Sequence, residues 1–247
     1  MAAAKTAGII IIGDEILTGK VQDVNSFFLA KELWSRGVDV CRISVIPDRI
    51  DVIASEVSAF SEKYDYVFTS GGIGPTHDDI TIEGVSQAFG VKIVISDILR
   101  KVLEQRHAVL TPEQLKMAEV PEGAELINDG DLKFPLIKFG NVFIFPGIPQ
   151  LLRKKFYAIE KRFSGPMIFL RRIYFRESES VLACYLNEIV ADKNGVKIGS
   201  YPATGEEDYS VMVTLECSDA IRLDTVARKL MAKVSKEKII RVDGDKL

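Results

Sequence analysis

Apolar and polar positions alternate in two rhythms along this chain. Residues 7–12 read Ala-Gly-Ile-Ile-Ile-Ile, the pattern of a strand covered on both faces. Over residues 25–37, Phe27, Leu29, Ala30, Leu33 and Trp34 recur at helical spacing, and Gly37 is a suitable stop. Residues 38–45 predict a second strand and 51–60 a helix with Val52, Ile53, Val57 and Phe60 towards one side. Residues 66–69 predict a short strand ending at Gly71-Gly72, and residues 80–89 a further helix. Strands separated by helices in this order predict right-handed βαβ units and a parallel sheet covered on both faces.

The middle of the chain is less regular. Residues 97–109 predict a helix that carries His107 on its surface, and Thr111-Pro112-Glu113-Gln114 reads as a helix start. Residues 121–135, rich in Gly, Asp, Asn and Pro, predict a surface loop. Residues 136–139 and 141–145 predict a hairpin turning at Gly140-Asn141 and running into Pro146-Gly147-Ile148-Pro149. After that the grammar changes. Strands at 167–175, 196–201, 209–217 and 238–242, with helices at 177–191 and 219–236, follow the ferredoxin-like split βαβ order. A boundary near Ser164-Gly165-Pro166 therefore divides residues 1–164 from a smaller α+β domain, residues 165–247.

Composition narrows the function. Apolar residues at 47% and charged residues at 27% describe a globular chain. Thirty-five acids against 32 bases leave a net charge of −3, which disfavours nucleic acid as a partner because phosphate backbones select a basic excess. The apolar run at 7–12 is far below the roughly 20 residues that span a bilayer, so no membrane partner is expected. Cys41, Cys184 and Cys217 are odd in number and scattered, which fits neither a disulfide framework nor zinc spacing and suggests the cytoplasm.

The candidate chemistry lies at predicted strand ends. Gly71-Gly72-Ile73-Gly74-Pro75-Thr76-His77-Asp78-Asp79 follows a buried strand, and its glycines let backbone amides approach a phosphate. Asp78 and Asp79 directly after such a loop suit a divalent metal, although either also suits the cap of the next helix. Gly13-Asp14-Glu15-Ile16-Leu17-Thr18-Gly19-Lys20 fails the P-loop spacing and leaves Asp14 and Glu15 at a strand end as further metal candidates or as residues of a short helix. Asp48, after Pro47, is a turn residue or a carboxylate on the same edge. Arg153-Lys154-Lys155 reads as a solvated helix face.

Taken together, Gly13-Asp14-Glu15-Ile16-Leu17 with Gly19, Asp23 and Asn25, Pro47-Asp48, and the Gly71 to Asp79 loop resemble the molybdopterin-binding (MoaB/Mog-like) superfamily. The stretch Asn141-Val142-Phe143-Ile144-Phe145-Pro146-Gly147-Ile148-Pro149 and the second domain resemble its CinA amino-terminal and eukaryotic FAD synthase branch. The resemblance implies a three-layer αβα sandwich followed by a small α+β domain. It also implies hydrolysis of a nucleotide diphosphate conjugate, FAD above all, to FMN and AMP. A divalent metal, magnesium or cobalt, would assist, and potassium recurs as an activator in the family. By motif position Asp48 and Asp79 become the catalytic pair, while the loop carboxylates Asp14, Glu15, Asp78 and Asp79 are read from their chemistry as the metal set. Asn25, Gly71, Gly72, Gly74, Pro75, Thr76, Pro146 and Gly147 become the substrate cradle. A non-catalytic flavin- or pterin-binding module is the alternative. The expected partners are the small nucleotide and further copies of the chain.

Overall fold

The structure is a computed structural model that describes residues 4–105, 109–129, 132–192, 195–205 and 207–246. His107 and Asp131 lie outside the described residues. The chain falls into two compact units, Met1–Gly165 and Pro166–Leu247.

In the first unit β1 (Lys5–Ile12) leads through α1 (Asp14–Leu17) and α2 (Asn25–Ser35) to β2 (Val38–Ile46). Then come α3 (Ile50–Lys63), β3 (Tyr66–Ser70), α4 (Thr81–Phe89), β4 (Ile93–Ile95), α5 (Asp97–Glu104), α6 (Pro112–Lys116), β5 (Glu119–Pro121) and β6 (Glu125–Ile127). The hairpin β7 (Leu136–Phe139) and β8 (Val142–Phe145) precedes α7 (Pro149–Ile159). Six strands form one sheet in the order β2-β1-β3-β8-β7-β6, with β2, β1, β3 and β8 parallel to one another.

Strand β1 shows why the apolar run was continuous. Ala7, Ile9 and Ile11 face a core built with α2 and α7 through Leu29, Leu33, Phe156 and Ile159. Ile10 and Ile12 face the opposite core, built with α3, α4 and α5 through Ile53, Val57, Val85 and Leu99. Both faces are dry, so neither admits a polar residue. The result is a three-layer αβα sandwich.

The stretch expected as a surface loop, residues 121–135, is corrected. It contains β6, which pairs antiparallel with β7 at the sheet edge, and it buries Ile127 and Leu132. A second short ribbon pairs β4 with β5. The helix expected over 97–109 ends its described part at Glu104.

The second unit runs β9 (Phe169–Phe175), α8 (Glu179–Ala191), β10 (Lys197–Pro202), β11 (Val211–Cys217), α9 (Ala220–Ala232) and β12 (Ile239–Lys246). Its sheet is fully antiparallel in the order β10-β11-β9-β12. That order is ferredoxin-like. Ile173, Phe175, Val213 and Leu215 on one sheet face pack against Leu182, Leu186, Val226 and Leu230 of the two helices. Asp219 caps α9 by accepting from the amides of Ile221 and Arg222.

Candidate functional site

Because β2, β1, β3 and β8 run in one direction, their carboxyl ends open on one edge. The loop after β1 leads towards β2 and the loop after β3 towards the other side. The gap between them is therefore a topological switch point, where open α/β sheets take ligands. Four segments meet there: Gly13-Asp14-Glu15, Pro47-Asp48, the loop from Gly71, and Pro146-Gly147. The Gly13 amide donates to the Ile46 carbonyl at 3.1 Å, and the Asp14 amide donates to Asp48 Oδ2 at 2.9 Å. The Gly71 amide donates to the Phe145 carbonyl at 3.2 Å.

The glycine loop is crowded from within. Gly71 has φ 115°, and a Cβ there would lie 2.1 Å from the Ile12 carbonyl oxygen. Gly72 has φ 62°, and its Cβ would meet the Thr81 hydroxyl at 2.4 Å, a group that donates to the Gly71 carbonyl. At Gly74 a Cβ would fall 2.6 Å from Asp79 Oδ2. Each glycine thus has a packing reason of its own, beyond the ligand approach that the sequence suggested.

The loop's donors are divided between fold and cleft. Gly71 is not available to a phosphate, since its amide is spent on Phe145. Thr76 is not available either: its amide (2.8 Å) and hydroxyl both donate to Asp79 Oδ2. Pro75 has no amide proton. Among the described residues the amides of Gly72, Ile73 and Gly74 find no acceptor. Ile73 was missed because the sequence argument looked for missing side chains, whereas an amide donates whatever its side chain.

The acids gather on this edge, with His77 and Lys116 acting on Asp78. Burial raises the Asp48 carboxyl above its ordinary range, the Asp14 amide opposes the rise, and the charges of Glu15, Asp14 and Asp78 add to it. Asp14 and Glu15 occupy the first turn of α1, so the short-helix reading of that segment holds in geometry. Asp78 is exposed with His77 at 3.9 Å. Among the described residues no group of three or more His, Cys, Asp or Glu stands ready to hold a metal unaided. The donor set nevertheless fits a hard divalent ion. It is all oxygen, and such ions bind through one or two carboxylates with substrate phosphates completing the shell.

Asn25, at the start of α2, is buried. Its amide group donates to the Gly147 carbonyl at 2.7 Å and to the Ser70 hydroxyl at 3.0 Å, which holds Pro146-Gly147 beside β3. Its Oδ1 is left without a partner. That oxygen is an acceptor with no exposed surface, so Asn25 acts on the site through the Gly147 carbonyl that it holds.

A cavity of about 1120 Å³ opens beside the loop. Gly71 to Pro75, Asp79, Glu15, Pro146 and Gly147 form one wall, and Leu103, Met117, Phe134, Ile144, Ile148 and Leu151 supply apolar surface. Lys133, Lys154 and Lys155 line it as well. This corrects the reading of Lys155 as part of a solvated face. It is half-buried, it donates to the Phe134 and Pro135 carbonyls at 2.6 and 2.7 Å, and burial lowers its pKa to about 8.

Comparison with known proteins agrees with this geometry. Residues 8–164 match the family described as a probable molybdopterin binding domain. The chain belongs to the molybdopterin-binding domain family. Residues 167–243 of this family member match a second family, the middle domain of FAD synthase. A probable FAD synthase of Caenorhabditis elegans is 34% identical over 93% of this chain and 50% of its own length. The chain therefore spans about half the length of that relative. A protein of Archaeoglobus fulgidus is 36% identical over 80% of this chain and 86% of its own. Among solved structures, the protein CinA of Thermoplasma acidophilum, of unknown function, aligns with a TM-score of 0.60 and 32% identity. That alignment covers 65% of this chain and all of the other. No helix among the described residues is long and apolar enough to cross a membrane.

Proposed function

We propose that this molybdopterin-binding domain protein is a metal-dependent pyrophosphatase of flavin metabolism that hydrolyses FAD to FMN and AMP. The observation that carries the reading is the juxtaposition of three unpartnered loop amides with a clustered set of carboxylates at the switch point, where Glu15 and Asp79 line the same large cavity as the amides. The similarity to probable FAD synthases directs the choice of substrate towards a flavin.

The amides of Gly72, Ile73 and Gly74 hold one phosphoryl group of the diphosphate. Asp48, whose carboxyl is already raised, accepts the proton of the attacking water. The water oxygen bonds to one phosphorus as the bridging P–O bond breaks, and the bridging oxygen departs on the other phosphate. FMN and AMP result. Asn25 positions Pro146-Gly147 through its bond to the Gly147 carbonyl, and Pro146-Gly147 closes the cradle. A divalent cation, magnesium or cobalt, held by carboxylates from the set Asp14, Glu15, Asp78 and Asp79, supplies charge neutralisation and polarisation of the diphosphate when bound. Potassium is the monovalent activator to test alongside it.

The lack of a ready three-ligand metal group among the described residues favours, as second reading, a flavin- or pterin-binding module without turnover. Product analysis separates the two. FMN and AMP in equal amounts, dependent on added metal and lost on chelation, support the hydrolase. Intact FAD with every metal tried leaves the binding module, and FAD formed from FMN and ATP overturns both.

A further inference from the structure

Lys155 is a half-buried ammonium with two of its three protons placed. They go to the neutral carbonyls of Phe134 and Pro135, while the Phe134 ring lies 5.3 Å from the nitrogen. Among the described residues no carboxylate pairs with it, and burial alone accounts for its lowered pKa, so no neighbouring charge acts on it strongly. A half-buried cation without an anion is costly. An anionic ligand in the cavity would supply the missing countercharge.

The surroundings say which ligand. Lys133 and Lys154 line the same cavity and take part in no described ion pair, so the wall is basic without internal compensation. Ile148, the N-cap of α7, and Leu151 and Lys155 on the helix follow at helical spacing, and Ile148 and Leu151 remain exposed. An apolar floor beside a basic wall fits a planar ring attached to a phosphate. The cavity's acids, Glu15 and Asp79, belong to its glycine-loop side.

We propose that Lys155 is a substrate-specificity residue that binds the second phosphoryl group of a dinucleotide diphosphate, the first being held by the Gly72 to Gly74 amides. A ring of the nucleotide then rests on Ile148, Leu151 and Phe134. Single phosphates reach only one of the two anchors, so the site selects two linked phosphates over one. The assignment rests on the pyrophosphatase reading for the identity of the ligand, and on the cavity geometry for the role of the lysine.

The test is binding in chelator, where nothing is cleaved, by calorimetry with FAD, ADP and AMP. Wild type is compared with Lys155→Met, which keeps the methylene stem on Phe134, and with Lys155→Arg, which keeps the charge. Expected is a loss of tenfold or more in FAD and ADP affinity for Lys155→Met, a smaller loss for AMP, and partial recovery for Lys155→Arg, each in protein shown to be folded by circular dichroism. If Lys155→Met does not fold, wild-type FAD binding between pH 6.5 and 9.5 replaces it. The diphosphate diester stays ionised there, so affinity falls as pH rises through about 8, where the lysine loses its proton. Wild-type affinity in folded Lys155→Met, or a flat pH profile, overturns the proposal. Loss of binding in Lys155→Met with no FAD cleavage by wild type keeps the proposal and removes the pyrophosphatase reading. Cleavage with an unchanged KM in Lys155→Met does the reverse.

Discussion

The two ends of the parallel strands handle charge in opposite ways. At the amino-terminal end, Asp65 accepts from Lys5 Nζ at 2.7 Å, from the Thr6 amide at 2.8 Å and from the Thr6 hydroxyl at 2.9 Å. Those partners pull its carboxyl down to about 2. At the carboxyl-terminal end, Asp48 is pushed up by burial and by three neighbouring acids. One end of the sheet satisfies its charges internally and so joins two strands. The other leaves acids, amides and Lys155 short of partners, which is the condition for binding something else.

The comparison is broken most severely through the backbone. Gly71→Ala places a methyl against the Ile12 carbonyl and forces a left-handed φ on an L residue, so we expect a loss of about 3 kcal/mol in urea unfolding. Gly90→Ala has a similar φ sign but open space around it, and should cost about 1 kcal/mol. Equal losses in the two variants would show that the crowding at Gly71 is not real.

Next in size is Asp79→Asn. The amide oxygen still accepts from the Thr76 backbone, so the loop should persist while turnover falls roughly 10²-fold, as for loss of an electrostatic stabiliser. FMN release measured beside a melting curve checks both halves. Full activity with a lower melting temperature would make Asp79 a loop cap.

At the opposite end, Asp65→Asn should cost about 1 kcal/mol at pH 7, since the pair is partly exposed and screened by solvent. The sign with pH is set by the depressed carboxyl. Its contribution is whole above the unfolded value near 4 and is lost as pH falls towards about 2. Urea midpoints of wild type and variant should therefore converge between pH 4 and pH 2, with turnover unaffected at neutral pH.

The smallest effect has the opposite sign. Asp48→Asn removes a charge that burial and its neighbours disfavour, while an amide oxygen can still accept from Asp14 N–H. In chelator the melting temperature should rise slightly. Turnover should fall in the same variant. A fall in both would place Asp48 with Asp65 as a structural carboxylate.

Much of the first unit was legible because strands buried on both faces are written as unbroken apolar runs. Residues 7–12 are the clearest case, since Ile9 and Ile10 serve different cores and neither position tolerates a polar group. The three-residue strands β4, β5 and β6 were not legible. They are too short to show a period, and β5 and β6 lie among residues that also favour turns, so pairing with β4 and β7 defines them. Within the site, the motif positions of Asp14, Glu15, Asp48 and the glycine loop could be read, and the shared direction of the parallel strands brings them to one edge. Which of their atoms are already spent could not.

The order of apolar runs and helical periods by itself determined the αβα layering and the ferredoxin-like second unit, because each follows from local periodicity and from the chirality of βαβ links. Only the tertiary structure decided that Gly71 and Thr76 serve the fold while Gly72, Ile73 and Gly74 keep free amides. It alone turned Lys155 from a helix-surface residue into a half-buried cation on a cavity wall. Hydrogen-bond partners and burial at these positions come from segments far apart in the chain, such as Gly71 with Phe145 and Lys155 with Phe134. No local pattern records what a residue will meet across that distance.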